Sequence, residues 1–154
     1  MQAVDSNVLF DVLSPDSEHY EESVERLEEA TEDGPLGICD VVYAELGSRF
    51  SGQSEVDRFL DETDLVVIRS SRAALYEASL AWRRYTSRRP DGFACGECGA
   101  LNRVPCSKCG ARLRARQHMI ADFIVGGHAL VECAGLITRD QRYFRTYFPD
   151  LELL

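Results

Sequence analysis

Four short apolar runs, each followed by residues with helical spacing, organise this chain. Gln2-Ala3-Val4, Leu36–Cys39, Leu65–Ile68 and Leu136-Ile137-Thr138 predict strands. Leu65-Val66-Val67-Ile68 is the clearest of them, with four apolar residues of which three are β-branched. Between the strands the spacing changes to that of helices. Asn7–Leu13 reads as a helix ended by Ser14-Pro15-Asp16. Residues 17–32 form an acidic helix with Tyr20, Val24, Leu27 and Thr31 on one face, and its glutamates form a solvated face. Asp33-Gly34-Pro35 makes a turn. Asp40 is placed to cap a helix over Val41–Phe50, and a shorter helix follows at about 54–62.

The second half repeats the alternation. Ser70 or Ser71 caps a helix running to about Arg88, with Leu75, Ala78, Trp82 and Tyr85 as its inward stripe. Residues 118–134 are helical with Ile120, Ile124, Val131 and Ala134 inward, and a short helix 141–147 precedes Leu151–Leu154. The expected class is α/β: a mainly parallel central sheet flanked by helices on both faces. The expected organisation is one domain over 1–154, interrupted by an insertion at 90–116 that has almost no apolar content.

Composition agrees with a single ordered domain: 154 residues, 45% hydrophobic and 28% charged. No apolar run approaches the roughly 18 residues of a membrane span. The start, Met1-Gln2-Ala3-Val4-Asp5, lacks the basic and apolar regions of a signal peptide, so a cytoplasmic location is expected. The net charge of −9 is unevenly distributed. Residues 83–116 carry nine basic residues against Asp91 and Glu97, which is +7 and leaves −16 elsewhere. A basic segment on an acidic protein points to contact with a polyanion there.

In a parallel sheet, sites form beyond the carboxyl ends of the strands. Asp5 directly follows the first strand, and Asp140 lies two residues past the strand ending at Thr138. Glu45 and Asp122 lie in the first turns of helices adjoining the same edge. Singly, each acid has a helix-capping or helix-dipole explanation. Together they repel, by roughly 4 kcal/mol for two carboxylates about 4 Å apart at an effective dielectric of about 20. A divalent cation relieves that repulsion, and all-oxygen ligands select Mg2+ or Mn2+. Ser6 and Thr138 are placed to orient such ligands through hydrogen bonds. His128 is expected to be a satisfied core histidine.

The local words Val4-Asp5-Ser6-Asn7-Val8-Leu9, Tyr43-Ala44-Glu45-Leu46, Ala121–Ala129 and Leu136-Ile137-Thr138-Arg139-Asp140 occur in that order. This resembles the PIN-domain nucleases, and among them the VapC toxin ribonucleases, over residues 1–88 and 117–154. The resemblance implies a catalytic metal pocket at Asp5, Glu45, Asp122 and Asp140. It also implies cleavage of single-stranded RNA by metal-activated water, a homodimer and an antitoxin partner. One departure is visible. Many relatives carry another acid shortly after the last motif aspartate, where this chain has Gln141, Arg142, Tyr143 and Phe144. The haloacid-dehalogenase pattern fits less well, because it wants a second Asp at position 7, which is Asn.

Four of the six cysteines form two copies of one motif, Cys95-Gly-Glu-Cys98-Gly and Cys106-Ser-Lys-Cys109-Gly. Two residues between cysteines let both thiolates reach one ion, and four sulfurs suit tetrahedral, structural Zn2+. Two symmetric pairs argue against redox chemistry. The segment resembles zinc-ribbon modules over about 93–114. Cys39 and Cys133, alone among apolar neighbours, are expected to be inert buried thiols. Arg112, Arg114 and Arg116 alternate along the chain leading to Asp122 and are candidate contacts to RNA phosphates. Two readings therefore stand: a Mg2+-dependent endoribonuclease of a toxin–antitoxin pair, or a zinc-ribbon RNA-binding protein on a catalytically silent PIN scaffold.

Overall fold

The computed structural model describes residues 1–88, 92–95, 98, 100–113 and 120–154. In chain order the elements are β1 (Gln2–Val4), α1 (Ser6–Val12), α2 (Tyr20–Glu32), β2 (Leu36–Cys39), α3 (Asp40–Gly47), α4 (Gln53–Glu62), β3 (Val66–Ile68) and α5 (Arg72–Ser87). Then follow β4 (Phe93–Ala94), β5 (Leu101–Asn102), α6 (Ile120–Glu132), β6 (Leu136–Ile137) and α7 (Gln141–Tyr147).

The central sheet has four strands in the order β3-β2-β1-β6. Every pairing in it is parallel, with Ala3 opposite Gly37 on one side and Leu136 on the other. The chain thus starts in the sheet interior, runs outward to β3, and returns on the other side through β6. Such a return brings residues far apart in sequence to one carboxyl edge. The expected α/β class is what the structure has. Val4, Ile38, Leu136 and Ile137 lie fully inside, under Val8, Leu9, Val42, Leu46, Phe123 and Phe148. Leu153 adds a parallel bridge to Leu136.

Strand β3 forms one edge of the sheet, and its Val66 and Val67 are half exposed. Ser71 caps α5 as expected, its hydroxyl accepting from Ala74 N–H at 3.2 Å. Asp40 does not cap: Cys39 takes that position and Asp40 begins α3. Its carboxylate instead accepts from Ser70 N–H at 3.3 Å.

The inward stripes expected of α5 and α6 hold in part: Ala78 and Tyr85 are buried, and Trp82 and Ile124 pack against the core. Leu75, Ile120 and Val131 are exposed, as is Ala134 beyond α6. The buried residues are Ala74, Ala78, Ala81 and Tyr85 on α5, and Phe123, Val125, Gly126, Gly127, His128 and Ala129 on α6. The reason is close packing. A Cβ on Gly127 would stand 2.5 Å from the Ala74 carbonyl oxygen and 2.8 Å from Ala78 N. The two helices meet through small residues, and leucine at that seam would hold them apart.

Candidate functional site

Each candidate acid is presented by a different element. Asp5 sits in the β1–α1 turn, Glu45 on α3, Asp122 in the first turn of α6, and Asp140 between β6 and α7. All four line one cleft of about 210 Å³ at the carboxyl edge of the sheet, together with Ser6, Asn7, Phe10, Tyr143 and Phe144.

Asp5 lies deepest, 8% exposed. Thr138 Oγ1 donates to its Oδ2 at 2.7 Å and Asn7 Nδ2 to the same oxygen at 2.9 Å. Burial pushes the Asp5 carboxyl up to about 6, the charges of Glu45 and Asp122 add to the rise, and the Thr138 hydroxyl opposes it. Ser6 Oγ lies 2.6 Å from Glu45 Oε2, to which it donates, and 3.5 Å from Asp5 Oδ1. The two hydroxyls named from the sequence, Ser6 and Thr138, thus both hold candidate acids.

Asp140 is exposed, but its backbone N–H donates to Thr138 Oγ1 at 3.1 Å and its carboxylate accepts from Tyr143 N–H at 3.3 Å. Asp122 is half-buried beside Phe123. The Phe123 ring packs edge-on against Trp82, Tyr143 and Tyr147, which ties α5, α6 and α7 into one aromatic cluster below the cleft. Burial raises the Tyr143 phenol above its ordinary value, and Asp122 contributes to the rise, so it stays a neutral wall of the cleft.

Two further polar groups were not singled out from the sequence. Asn7 donates to Asp5 and, at 3.2 Å, to Thr138 Oγ1, and its Oδ1 accepts from Arg139 N–H at 3.3 Å. It clasps the ends of β1 and β6 together. Its one sequence signal is a carboxamide two residues after the strand-end acid. Asp11, 5% exposed, accepts from Ser17 and Ser23 hydroxyls, each at 3.0 Å, and pairs with Arg139 Nε at 2.8 Å. Arg139 thus joins the residue before Asp140 to α1 and α2. No local pattern announces that pair, because its members are 128 residues apart.

His128 is buried, with Nδ1 3.1 Å from Ser70 Oγ, as expected of a core histidine. Cys39 is buried and Cys133 partly so. Of the cysteines of the insert, Cys95 and Cys106 are partly covered and Cys98 and Cys109 are exposed. Arg112 is exposed; Arg114 and Arg116 lie outside the described residues. Among the described residues, no three His, Cys, Asp or Glu side chains are gathered closely enough to hold an ion unaided. In both places a cation would have to draw its ligands in.

No protein-family model matches the chain. No curated protein matches it in sequence. Solved structures do match it in shape. One is VapBC2 from Rickettsia felis bound to a DNA fragment from their promoter, at TM-score 0.62 and 17% identity, covering 99% of this chain and 96% of that one. Another is FitAB bound to IR36 DNA fragment, at TM-score 0.53 and 12% identity, covering 100% of this chain and 94% of that one. At such identities the likeness is one of fold, and the fold of this chain is the PIN-like α/β fold.

Proposed function

We propose that this chain is a divalent-metal-dependent endoribonuclease that cleaves single-stranded RNA, and that it is the toxin of a toxin–antitoxin pair. The observation that carries the reading is the convergence of Asp5, Glu45, Asp122 and Asp140 on one cleft, with Asp5 buried against the neighbouring charges. The donor set suits a hard cation, since the described residues lining the cleft offer carboxylates and hydroxyls but no thiol or imidazole. Those four acids would hold Mg2+ or Mn2+, which when bound polarises a phosphodiester and makes an attacking water more acidic. The chain's own polar groups hold the acids ready: Thr138 and Asn7 fix Asp5, and Ser6 fixes Glu45.

The rest of the reading extends the fold likeness. The domain spans 1–154 with a zinc-ribbon insertion at 90–116. The basic insert, through Arg112, Arg114 and Arg116, guides RNA phosphates toward an otherwise repulsive acidic cleft. The partner is an antitoxin protein whose tail offers a basic side chain to the same carboxylates. Both comparison structures are named as assemblies on DNA, which supports a two-protein system. The chain works as a homodimer in the cytoplasm, and among the described residues no helix is long and apolar enough to cross a membrane. Besides the catalytic ion the cofactor set includes a structural Zn2+ at Cys95, Cys98, Cys106 and Cys109.

The test is incubation of the purified chain with single-stranded RNA and Mg2+ or Mn2+. Cleavage leaving 5′-phosphate and 3′-hydroxyl ends is expected, lost in Asp5→Asn with an unchanged circular dichroism spectrum. RNA retention without cleavage in either ion would replace the enzyme with a zinc-ribbon RNA-binding module on a silent scaffold.

A further inference from the structure

The four-acid cleft continues sideways along α7. Asp140 and Tyr143, two of its walls, also line a second cavity of about 250 Å³, together with Arg142, Thr146 and Tyr147. Thr146 in turn lines a third cavity, of about 310 Å³, which holds Arg84 and Arg88 from the end of α5. Phe148 and Pro149 form an apolar side of that cavity. Arg88 is the C-cap of α5, so the series of cavities runs from the carboxylates to the foot of the insert.

One helix supports this trough. Arg142 and Thr146 are four residues apart and share a face of α7. The Thr146 hydroxyl donates to the Arg142 carbonyl at 2.8 Å. At the far end of α7, Arg84 Nη2 donates to the Tyr147 carbonyl at 2.7 Å, a cation placed on helix-terminal oxygens. Arg88 lies near enough to Tyr147 for its charge to act on that phenol.

The cations of the trough differ from others near the cleft in being uncommitted. Arg139 is paired with Asp11, Arg49 lies over the Phe10 ring at 4.4 Å, and Arg145 donates to Gln141 Oε1 at 3.0 Å. Arg142 and Arg88 are exposed, and among the described residues their guanidinium groups make no ion pair and no hydrogen bond. Glu77 and Asp150 border the third cavity, yet among the described residues no ion pair joins them to Arg84 or Arg88. Arg84 and Arg88 also open the basic run 83–116, so positive charge continues from the trough into the insert. A pocket of carboxylates repels a phosphate backbone, and unpaired guanidinium groups beside it offer that backbone a place to lie. Half-buried Tyr147 adds an aromatic edge against which an unpaired base can pack.

We propose that the RNA strand on one side of the cut leaves the cleft past Asp140 and lies along α7, its phosphates held by Arg142 and then by Arg88. Arg84, tied to the Tyr147 carbonyl, shapes the end of this track. The inference rests on the reading of the cleft as an RNA-cleaving site. It assigns to the body of the domain contacts that the insert arginines do not make.

The full chain is mixed with a fluorescein-labelled single-stranded RNA without divalent ions, so that binding is read in the absence of cleavage. Affinity is followed across salt concentrations by fluorescence anisotropy. The double variant Arg142→Gln/Arg88→Gln should bind more weakly, and its salt slope should shrink by about 1.4, at roughly 0.7 per phosphate contact on a single strand. The charge-matched control Arg69→Gln/Arg72→Gln, near the start of α5, should change neither. With Mg2+, RNAs lengthened on one side of the cut should be cleaved faster by the wild type, and Arg142→Gln/Arg88→Gln should lose that gain. Affinity and slope equal to those of the control would overturn the track, as would a wild type that binds no RNA. A wild type that binds RNA through Arg142 and Arg88 but never cuts it would support the track and overturn the nuclease reading instead.

Discussion

The Thr138 hydroxyl donates to Asp5 Oδ2 at 2.7 Å, joining the ends of β6 and β1 across 133 residues of sequence. Thr138 is fully buried, and its oxygen also accepts from Asn7 Nδ2 and Asp140 N–H. Thr138→Val keeps the shape and removes this hub. A lost hydrogen bond to a charged group costs about 1.5–3 kcal/mol, so urea denaturation should show a loss of that order. The donor holds the Asp5 carboxyl down, so its removal raises that carboxyl further and moves the acid limb of a pH–rate profile upward. Unchanged stability and an unmoved limb would show that Thr138 does not support Asp5.

Asp5 should make the metal-free protein less stable as pH rises. Its carboxyl titrates near 6 in the folded chain against 3.8 in the unfolded one. The folded state therefore binds the proton more tightly. The resulting stabilisation is complete below about pH 4 and lost as pH passes 6, amounting to about 3 kcal/mol. Other carboxylates contribute a background that Asp5→Asn shares. The difference between wild type and Asp5→Asn in denaturation without added Mg2+ should thus move against the wild type from pH 4 to 7. Added Mg2+ should restore the wild type alone. A difference independent of pH would remove burial as the determinant of this acid.

Asn7 should matter through position rather than chemistry. Asn7→Ala removes three hydrogen bonds of the β1–β6 clasp. Groups that orient metal ligands typically carry about 10–100-fold in metal affinity or activity. The variant should need more Mg2+ for half-maximal cleavage, and Asn7→Gln should recover little because its carboxamide is displaced. Cleavage with unaltered Mg2+ dependence would deny Asn7 a positioning role.

The contact of α5 with α6 gives a prediction opposite in sign to helix propensity. Alanine is favoured over glycine by about 1 kcal/mol in a helix interior. At Gly127, however, the new Cβ would meet Ala74 and Ala78 backbone atoms at 2.5 and 2.8 Å. Overpacking of this kind typically costs about 1–3 kcal/mol, so Gly127→Ala should lower the denaturation midpoint. A more stable variant would mean that the helices separate without cost.

If the insert guides RNA, replacing Arg112, Arg114 and Arg116 together by Gln should weaken binding evenly across sequences. The salt slope should shrink by about two, at roughly 0.7 per phosphate contact on single strands. An unchanged slope accompanied by dissociation of the dimer would make the arm a structural one.

The sequence alone determined the positions of the four strands of the central sheet, the parallel α/β class and the end of the sheet where acids would collect. Those features follow from local periodicity and from where polar residues interrupt apolar runs, as at Val4-Asp5 and Thr138-Arg139-Asp140. Ser6 and Thr138 were legible for the same reason: each adjoins a strand end. The cysteine pairs were visible as a repeated word, and the structure shows the repetition to include the backbone pairing around them. Tertiary structure alone decided that Ala74, and not Leu75, faces the core. Leu75 outranks Ala74 by hydrophobicity, yet Gly127 and the alanines permit a closer approach than leucine does. It alone decided that Asn7 clasps two strand ends and that Arg139 reaches Asp11. It also set the depth at which Asp5 is buried, and with it the acidity of that group. Packing distance, long-range pairing and desolvation depend on three-dimensional neighbours, and local sequence carries no record of them.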